Sequence, residues 1–262
     1  MCRICNSSTR LAFTHTVLAK YDGSFYFCDN CGLLQAENPY WLDEAYASAA
    51  GAADTGLMWR NNYLARLTSV ILFCLFDRHG RFLDAAGGYG IFTRLMRDVG
   101  FDYYWMDKYC PNLIARGFAA DSAPGGPYTA VTAFEVMEHV PDPVAFVTEL
   151  LDSTGTDTFI FTTELFAGDP PAPEAWPYYA FTTGQHISFY QRSTLEHIGK
   201  RLGMRFYSSG LLHVLTRAEF NPLAFRLLTA PGVATLLSGL PRLALKSRML
   251  TDQVALMRNG EE

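Results

Sequence analysis

At 262 residues the chain has room for one medium α/β domain and a small accessory module, with a core that needs no disulfides. A formal net charge of −5, with 18% charged residues, argues against a polyanionic partner such as DNA or RNA. The longest apolar run, residues 69–76, is far short of the ~20 residues that span a bilayer, and no basic-then-apolar leader opens the chain, so the expected compartment is the cytoplasm.

Residues 1–35 hold Cys2, Cys5, Cys28 and Cys31 as two Cys-x-x-Cys pairs. Each tight turn sets two sulfurs on one side of an ion, so the four can close a tetrahedral thiolate site around a structural zinc, with no position left for water. Short β-like runs, residues 11–20 and 24–28, flank the turn signal Asp22-Gly23. Cys74 and Cys110 are left over and read as core residues. Residues 36–56 are a polar, small-residue connection.

From Leu57 a helix pattern begins, with Leu64, Leu67, Ile71 and Cys74 on one face. Strand and helix then alternate: a strand over 81–86, a helix over 91–99 closed by Gly100, strands over 102–107 and 128–134, a helix after Pro143, and a strand over 157–163. A helix over 193–202 is N-capped by Ser193, with Glu196 three residues on. Residues 204–217 give two strands joined at Ser209-Gly210. This alternation predicts an α/β fold, a doubly wound, mostly parallel sheet with helices on both faces. The expected units are a zinc module (1–35), a connection (36–56), a catalytic domain (57–217) and a C-terminal helical extension (218–262). Within residues 222–248 of the extension, Arg226, Arg242, Lys246 and Arg248 stand without an acid among leucines and alanines; prolines and glycines break the run, so it is not one long helix. A basic-rimmed packing segment is the expectation there, ahead of a cap for an anionic acceptor, a dimer contact or a membrane-surface patch.

The segment Leu83-Asp84-Ala85-Ala86-Gly87-Gly88-Tyr89-Gly90 closes one strand and opens a helix. Glycines there let the backbone turn sharply and let a ligand approach with no Cβ in the way. Thr93 stands where a dinucleotide fingerprint needs its third glycine, so no complete pyrophosphate motif is present. The next strand ends in Asp107, an acid suited to accept hydrogen bonds from both ribose hydroxyls of an adenosine.

The segments LDAAGGYGIF, YYWMDKY and AFEVMEHVPDP together resemble the cofactor-binding motifs of the Rossmann-like S-adenosylmethionine-dependent methyltransferases, over residues 57–216. The chain is most similar to a bacterial branch with an N-terminal four-cysteine zinc module and a later Gly-Gln-His-Ile-Ser-Phe-Tyr segment, here residues 184–190, whose members resemble sugar or polyketide-decorating enzymes. The resemblance implies a seven-stranded sheet, S-adenosylmethionine as methyl donor, and a small-molecule acceptor. It puts Asp84, Gly87, Gly88 and Gly90 at the methionine part and ribose, Asp107 at the ribose, and Glu135 beside the sulfonium. Ala86 departs from the glycine of many relatives. No clear third strand lies in 118–127, which leaves Asp121 as the nearby acid for the adenine amine.

Methyl transfer from a sulfonium is an in-line displacement. The protein must align the partners and take a proton from a hydroxyl or carbon acid. His139 and His186 both follow strand ends and are the candidate bases, His139 by preference; His186 is better suited to gripping the acceptor from a long aromatic and proline-rich connection, residues 170–181. Both also suit plain structural roles. Glu138 reads as a group that orients His139 or, by preference, as a solvated acid at a helix start, and Arg60 as either a partner for the methionine carboxylate or a surface arginine. In the sugar C-methyltransferases that the branch resembles, a Tyr-x-Glu-His segment supplies catalytic groups; here Gln185 replaces the carboxylate, so O- or N-methylation stands beside C-methylation. Two rival readings remain, a nicotinamide-dependent oxidoreductase on the same sheet and a non-catalytic adaptor that keeps the fold.

Overall fold

A computed structural model describes residues 1–46 and 55–258. Residues 47–54 of the expected connection lie outside the described residues.

At the N-terminus, β1 (Arg10–Val17) and β2 (Tyr21–Phe27) form an antiparallel hairpin that continues into β3 (Leu34–Ala36). The turn is Leu18-Ala19, both left-handed, rather than Asp22-Gly23. Asp22 and Gly23 instead lie within β2, opposite Thr16 and His15. Gly23 marks a close approach, because a Cβ there would meet Val17 at 3.0 Å and Trp41 at 3.1 Å. The strained turn is held from outside, where the Leu18 amide donates to the Phe181 carbonyl at 2.8 Å.

After the short α1 (Leu42–Ala45), the long α2 (Leu57–Leu75) buries Leu64, Leu67 and Ile71 as expected. Cys74 is exposed and Cys110 only half-buried, so neither is a core residue. In the last turn of α2 the packing falls to Phe73 and Leu75, with Phe76 beyond, which turns Cys74 outward.

The main sheet is built from β4 (Arg81–Ala85), β5 (Asp102–Met106), β6 (Ala130–Ala133) and β7 (Thr158–Thr162), with α3 (Ile91–Val99) after β4 and α4 (Pro143–Thr154) after β6. Asp142 caps α4, accepting from the Ala145 amide at 3.0 Å, with Pro143 in the first turn where its missing N–H costs nothing. Then come β8 (Ser188–Phe189), α5 (Arg192–Leu202), β9 (Arg205–Ser209) and β10 (Leu212–Thr216).

The strand order is β5-β4-β6-β7-β10-β9. The first four strands are parallel, and β10 runs antiparallel to both of its neighbours. This is the mixed, mostly parallel sheet of a Rossmann-like fold, with six strands among the described residues where the resemblance implies seven. Beyond β5 the outer position is reduced to one parallel bridge, Trp105 to Ala119. A tight 3₁₀ turn over Ala120–Ser122 follows it at once, and the Pro-Gly-Gly-Pro run at 124–127 cannot extend a ladder. The chain leaves β4 first toward β5 and then toward β6, on its other side. Ligands bind at such a switch point, beyond the C-terminal strand ends.

β3 also pairs antiparallel with β8, so the N-terminal sheet is completed by a strand from well beyond β7. α5 is capped by Gln191 and Thr194 in a reciprocal box rather than by Ser193. The reason is that the Ser193 and Thr194 hydroxyls both donate to the Cys31 carbonyl, at 3.0 and 2.8 Å. The C-terminal residues form α6 (Pro222–Leu228), α7 (Pro231–Leu237), α8 (Gly239–Ala244) and α9 (Met249–Arg258). The first three pack on α2. α9 is anchored by a bidentate pair in which Arg97 holds Asp252 at 2.7 and 2.8 Å, both side chains buried. Among the described residues no single helix is long and apolar enough to cross a membrane.

Candidate functional site

The loop between β4 and α3 turns on three left-handed residues, Ala86, Gly88 and Gly90. Left-handed backbone costs a residue with a Cβ roughly 1–2 kcal/mol, which explains why a glycine would sit more easily at Ala86. Gly87 is required for space, since a Cβ would stand 2.7 Å from both the Asp84 carboxylate and the Trp105 ring. Gly88 has nothing within 4 Å on that side, so the loop presents bare backbone to open space.

Asp107, just past β5, is joined to that loop: its Oδ2 accepts from the Gly88 amide at 2.9 Å. Its Oδ1 accepts from the Tyr109 and Cys110 amides at 2.7 and 2.8 Å. The Trp105 indole donates to the Gly88 carbonyl at 2.9 Å, and the Gly87 amide to the Met106 carbonyl at 3.1 Å. Asp84 lies buried beneath the loop, accepting from Thr93 at 3.0 Å and Thr132 at 3.2 Å. Burial pushes its carboxyl up to about 7, against the pull of those two hydroxyls. Asp121 is exposed in the 3₁₀ turn after the Ala119 bridge. Arg60 is half-buried in the first turn of α2.

Glu135 follows β6 and is itself left-handed, with φ 55°. It is pinned to β7 by a reciprocal pair: its amide donates to the Thr162 hydroxyl, which donates to its Oε1, both at 2.8 Å. A 3₁₀ turn, Met137–His139, comes next. The segment around His186 is sewn to this turn by three hydrogen bonds. The Ile187 amide donates to the Glu138 carbonyl at 2.8 Å, Ser188 Oγ to the Val140 carbonyl at 2.9 Å, and Tyr190 Oη to the Met137 carbonyl at 2.6 Å.

The two histidines thereby meet edge to face, with ring centroids 4.8 Å apart. His139 Nδ1 lies 3.1 Å from the Tyr46 hydroxyl, and His186 Nδ1 donates to the Tyr178 carbonyl. Enclosure holds both rings neutral, pushing His139 down to about 3, with His186 beside it adding to the effect, and His186 down to about 4. Glu138 is not the solvated acid expected from its place in the sequence. It is fully buried, and neither of its oxygens has a hydrogen-bond partner. The helix start expected there is a 3₁₀ turn packed against β8, which faces the side chain inward. Burial, then the charge of Glu135, pushes its carboxyl up to about 8; Tyr178 offsets this in part without hydrogen-bond geometry, its hydroxyl lying 3.1 Å from Thr163 and the Glu164 amide.

The four N-terminal cysteines converge. Cys2 and Cys31 sulfurs are 3.4 Å apart, as are those of Cys5 and Cys28, and all four lie within 4.8 Å of one another. All are free thiols, and these spacings suit the edges of a thiolate tetrahedron, not S–S bonds. A proton shared with Cys31 draws the Cys2 thiol down to about 5 and holds Cys31 far above its usual range.

A family model described as a methyltransferase domain matches residues 58–209, the span that holds the loop, Asp107, Glu135 and both histidines. The chain belongs to this methyltransferase family. The match decides between the methyltransferase and oxidoreductase readings, in favour of the first. No curated protein matches the chain in sequence. Among solved structures, magnesium protoporphyrin IX methyltransferase from Synechocystis PCC 6803, with bound S-adenosylmethionine, is 14% identical over 69% of this chain and 90% of that chain, with a TM-score of 0.43. A protein named TnmH is 18% identical over 69% of this chain and 62% of its own, with a TM-score of 0.48. An O-methyltransferase family 2 protein from Planctomyces limnophilus DSM 3776, in complex with apigenin, is 13% identical over 67% and 66%, with a TM-score of 0.42. Likeness of this degree carries no substrate from those proteins to this one.

In this methyltransferase, sequence reasoning missed the buried acid Glu138 and the two tyrosines that back the histidines, Tyr46 and Tyr178. Glu138 carried one signal, its place between Met137 and His139 with Val136 and Val140 outside them, an apolar setting unlike a solvated helix start. Tyr46 carried none, because it reaches the site from a distant segment, and Tyr178 only its place in the aromatic connection over residues 170–181.

Proposed function

We propose that this methyltransferase transfers the methyl group of S-adenosylmethionine to an oxygen, nitrogen or carbon of a small acceptor, of the sugar or secondary-metabolite class. One observation carries the reading: the glycine loop, Asp107 and Glu135 converge past the ends of three adjacent parallel strands, with the loop amide of Gly88 already bonded to Asp107. The residues fit the donor. Gly88 faces open space, and Asp107, half-exposed, keeps acceptor capacity for ribose hydroxyls beyond its three backbone bonds. Asp84, Gly87 and Gly90 hold the loop in the shape the methionine part needs, Glu135 stands beside the sulfonium, and Arg60 pairs with the methionine carboxylate. The donor supplies an electrophilic methyl on a cationic sulfur, and the chain aligns the acceptor and promotes the loss of its proton.

His139 and His186 work at the acceptor as one unit, because their rings are in contact. The four cysteines hold a structural zinc that fixes the loop under α5, which favours a reducing compartment such as the cytoplasm. The acidic balance of the chain favours a small molecule over nucleic acid. Calorimetry with S-adenosylhomocysteine and with NAD tests the donor: micromolar binding of the first and none of the second is expected. Binding of NAD alone would overturn the reading. Acceptors are then screened by release of S-adenosylhomocysteine.

A further inference from the structure

Glu138, His139 and His186 bring three metal-ligating side chains together from two distant segments, with one donor atom from each lying within 4.8 Å of the other two. Proximity alone would be unremarkable if each side chain were satisfied, and Glu138 is not. Its carboxyl group is fully buried with both oxygens unpartnered, a state that native proteins rarely tolerate without an ion or water to complete it. Glu135, three residues earlier, adds negative charge toward the same corner instead of relieving it.

The histidines are arranged as ligands would be. His186 gives its Nδ1 proton to a backbone carbonyl, which can only accept, so Nε2 keeps its lone pair. His139 has the Tyr46 hydroxyl at its Nδ1, which leaves Nε2 free when that hydroxyl accepts. Outer partners of this kind fix the tautomer and orientation of metal-bound imidazoles. Two imidazoles and a carboxylate with open positions suit a divalent transition metal more than magnesium or calcium, which prefer all-oxygen shells.

We propose that Glu138, His139 and His186 bind one divalent transition-metal ion, and that its open positions take the acceptor through two neighbouring oxygens, as in a vicinal diol or catechol. This rests on the methyltransferase reading and names the acceptor class for it. The ion acidifies the hydroxyl that it binds, whose proton leaves to solvent. An oxygen lone pair then forms the new bond to the methyl carbon as the carbon–sulfur bond breaks, its electron pair remaining on sulfur, which becomes a neutral thioether. The ion is unchanged in oxidation state. Glu138 gains the counter-charge that its buried position lacks.

The test is a titration of the full-length, zinc-loaded protein with Co2+, followed by visible absorption. A nitrogen–oxygen site gives weak bands without the intense thiolate charge transfer that Co2+ in the cysteine site would show. One Co2+ per chain in the weak-band class is expected, with affinity at least tenfold lower in Glu138→Gln and in His186→Gln. S-adenosylhomocysteine binding by calorimetry checks that each variant is folded; where Glu138→Gln is not, His186→Gln decides. No weak-band binding in the wild type, or equal affinity in a folded variant, overturns the metal site. Full methyl-transfer rate in the presence of a chelator also overturns it while leaving the methyltransferase reading intact. Failure of the wild type to bind S-adenosylhomocysteine overturns that reading instead.

Discussion

The rings of His139 and His186 meet edge to face, with centroids 4.8 Å apart and planes 78° apart, although β7 and a long aromatic connection separate them in the chain. Groups that act as one unit are strongly non-additive when removed. His139→Ala and His186→Ala should each lower kcat by roughly 10²-fold or more, a loss in the range of a lost proton-handling group. The double variant should be little worse than either single one. Steady-state kinetics on an identified acceptor measures this. Multiplicative losses, or one variant that raises only KM, would mean two separate roles.

Asp107 is expected to carry ribose recognition. Replacing it with alanine removes the acceptor for two hydroxyls and frees the Gly88 amide from its 2.9 Å bond. Affinity for S-adenosylhomocysteine should fall by about 3–6 kcal/mol, taking about 1.5–3 per hydrogen bond to a charged group. Calorimetry reads the loss directly, and unchanged affinity would put the ribose elsewhere.

Asp84 should make the fold pH-sensitive. Its carboxyl is raised from 3.8 to about 7, first by burial, so the folded protein holds a proton that the unfolded chain has released. Stability from this group is therefore full below pH ~4 and falls as pH rises to ~7, by an amount on the order of 4 kcal/mol at ~1.4 kcal/mol per pH unit. Asp84→Asn keeps the size without the charge and should remove that component. Urea unfolding at pH 5 and pH 7.5 gives the comparison. Equal pH slopes in wild type and variant would show that Asp84 does not titrate as a buried acid.

The cysteine cluster should contain one zinc per chain, measurable by elemental analysis after metal-sparing purification. Because metal binding at such sites is folding free energy, Cys28→Ser should lower the melting temperature and release the zinc. The Cys31 carbonyl receives both Ser193 and Thr194, so α5 should loosen with the cluster, seen as faster amide exchange over residues 192–202. Less than half an equivalent of zinc in the wild type would sink the assignment.

Much of this protein could be read locally. The glycine loop, the acid at the end of β5 and the paired cysteines are short-range patterns, and the backbone demands behind them act over a few residues. The alternating strands and helices were legible for the same reason, since periodicity records which face of each element is buried. Local reading failed where a side chain answers to a distant partner. Ser193 looked like a cap, yet its hydroxyl serves the Cys31 carbonyl. Asp22-Gly23 looked like a turn, yet Gly23 makes room for Trp41.

Sequence by itself thus determined the mostly parallel sheet, the glycine loop and the pairing of the four cysteines, because each is specified by neighbours along the chain. Only the tertiary structure decided the character of the corner around Glu138. Glu138 is buried there because hydrogen bonds from Ile187, Ser188 and Tyr190 fold a remote segment over its turn. A carboxylate's burial, and hence what must neutralise it, depends on what covers it, and nothing within a few residues of Glu138 encodes that cover.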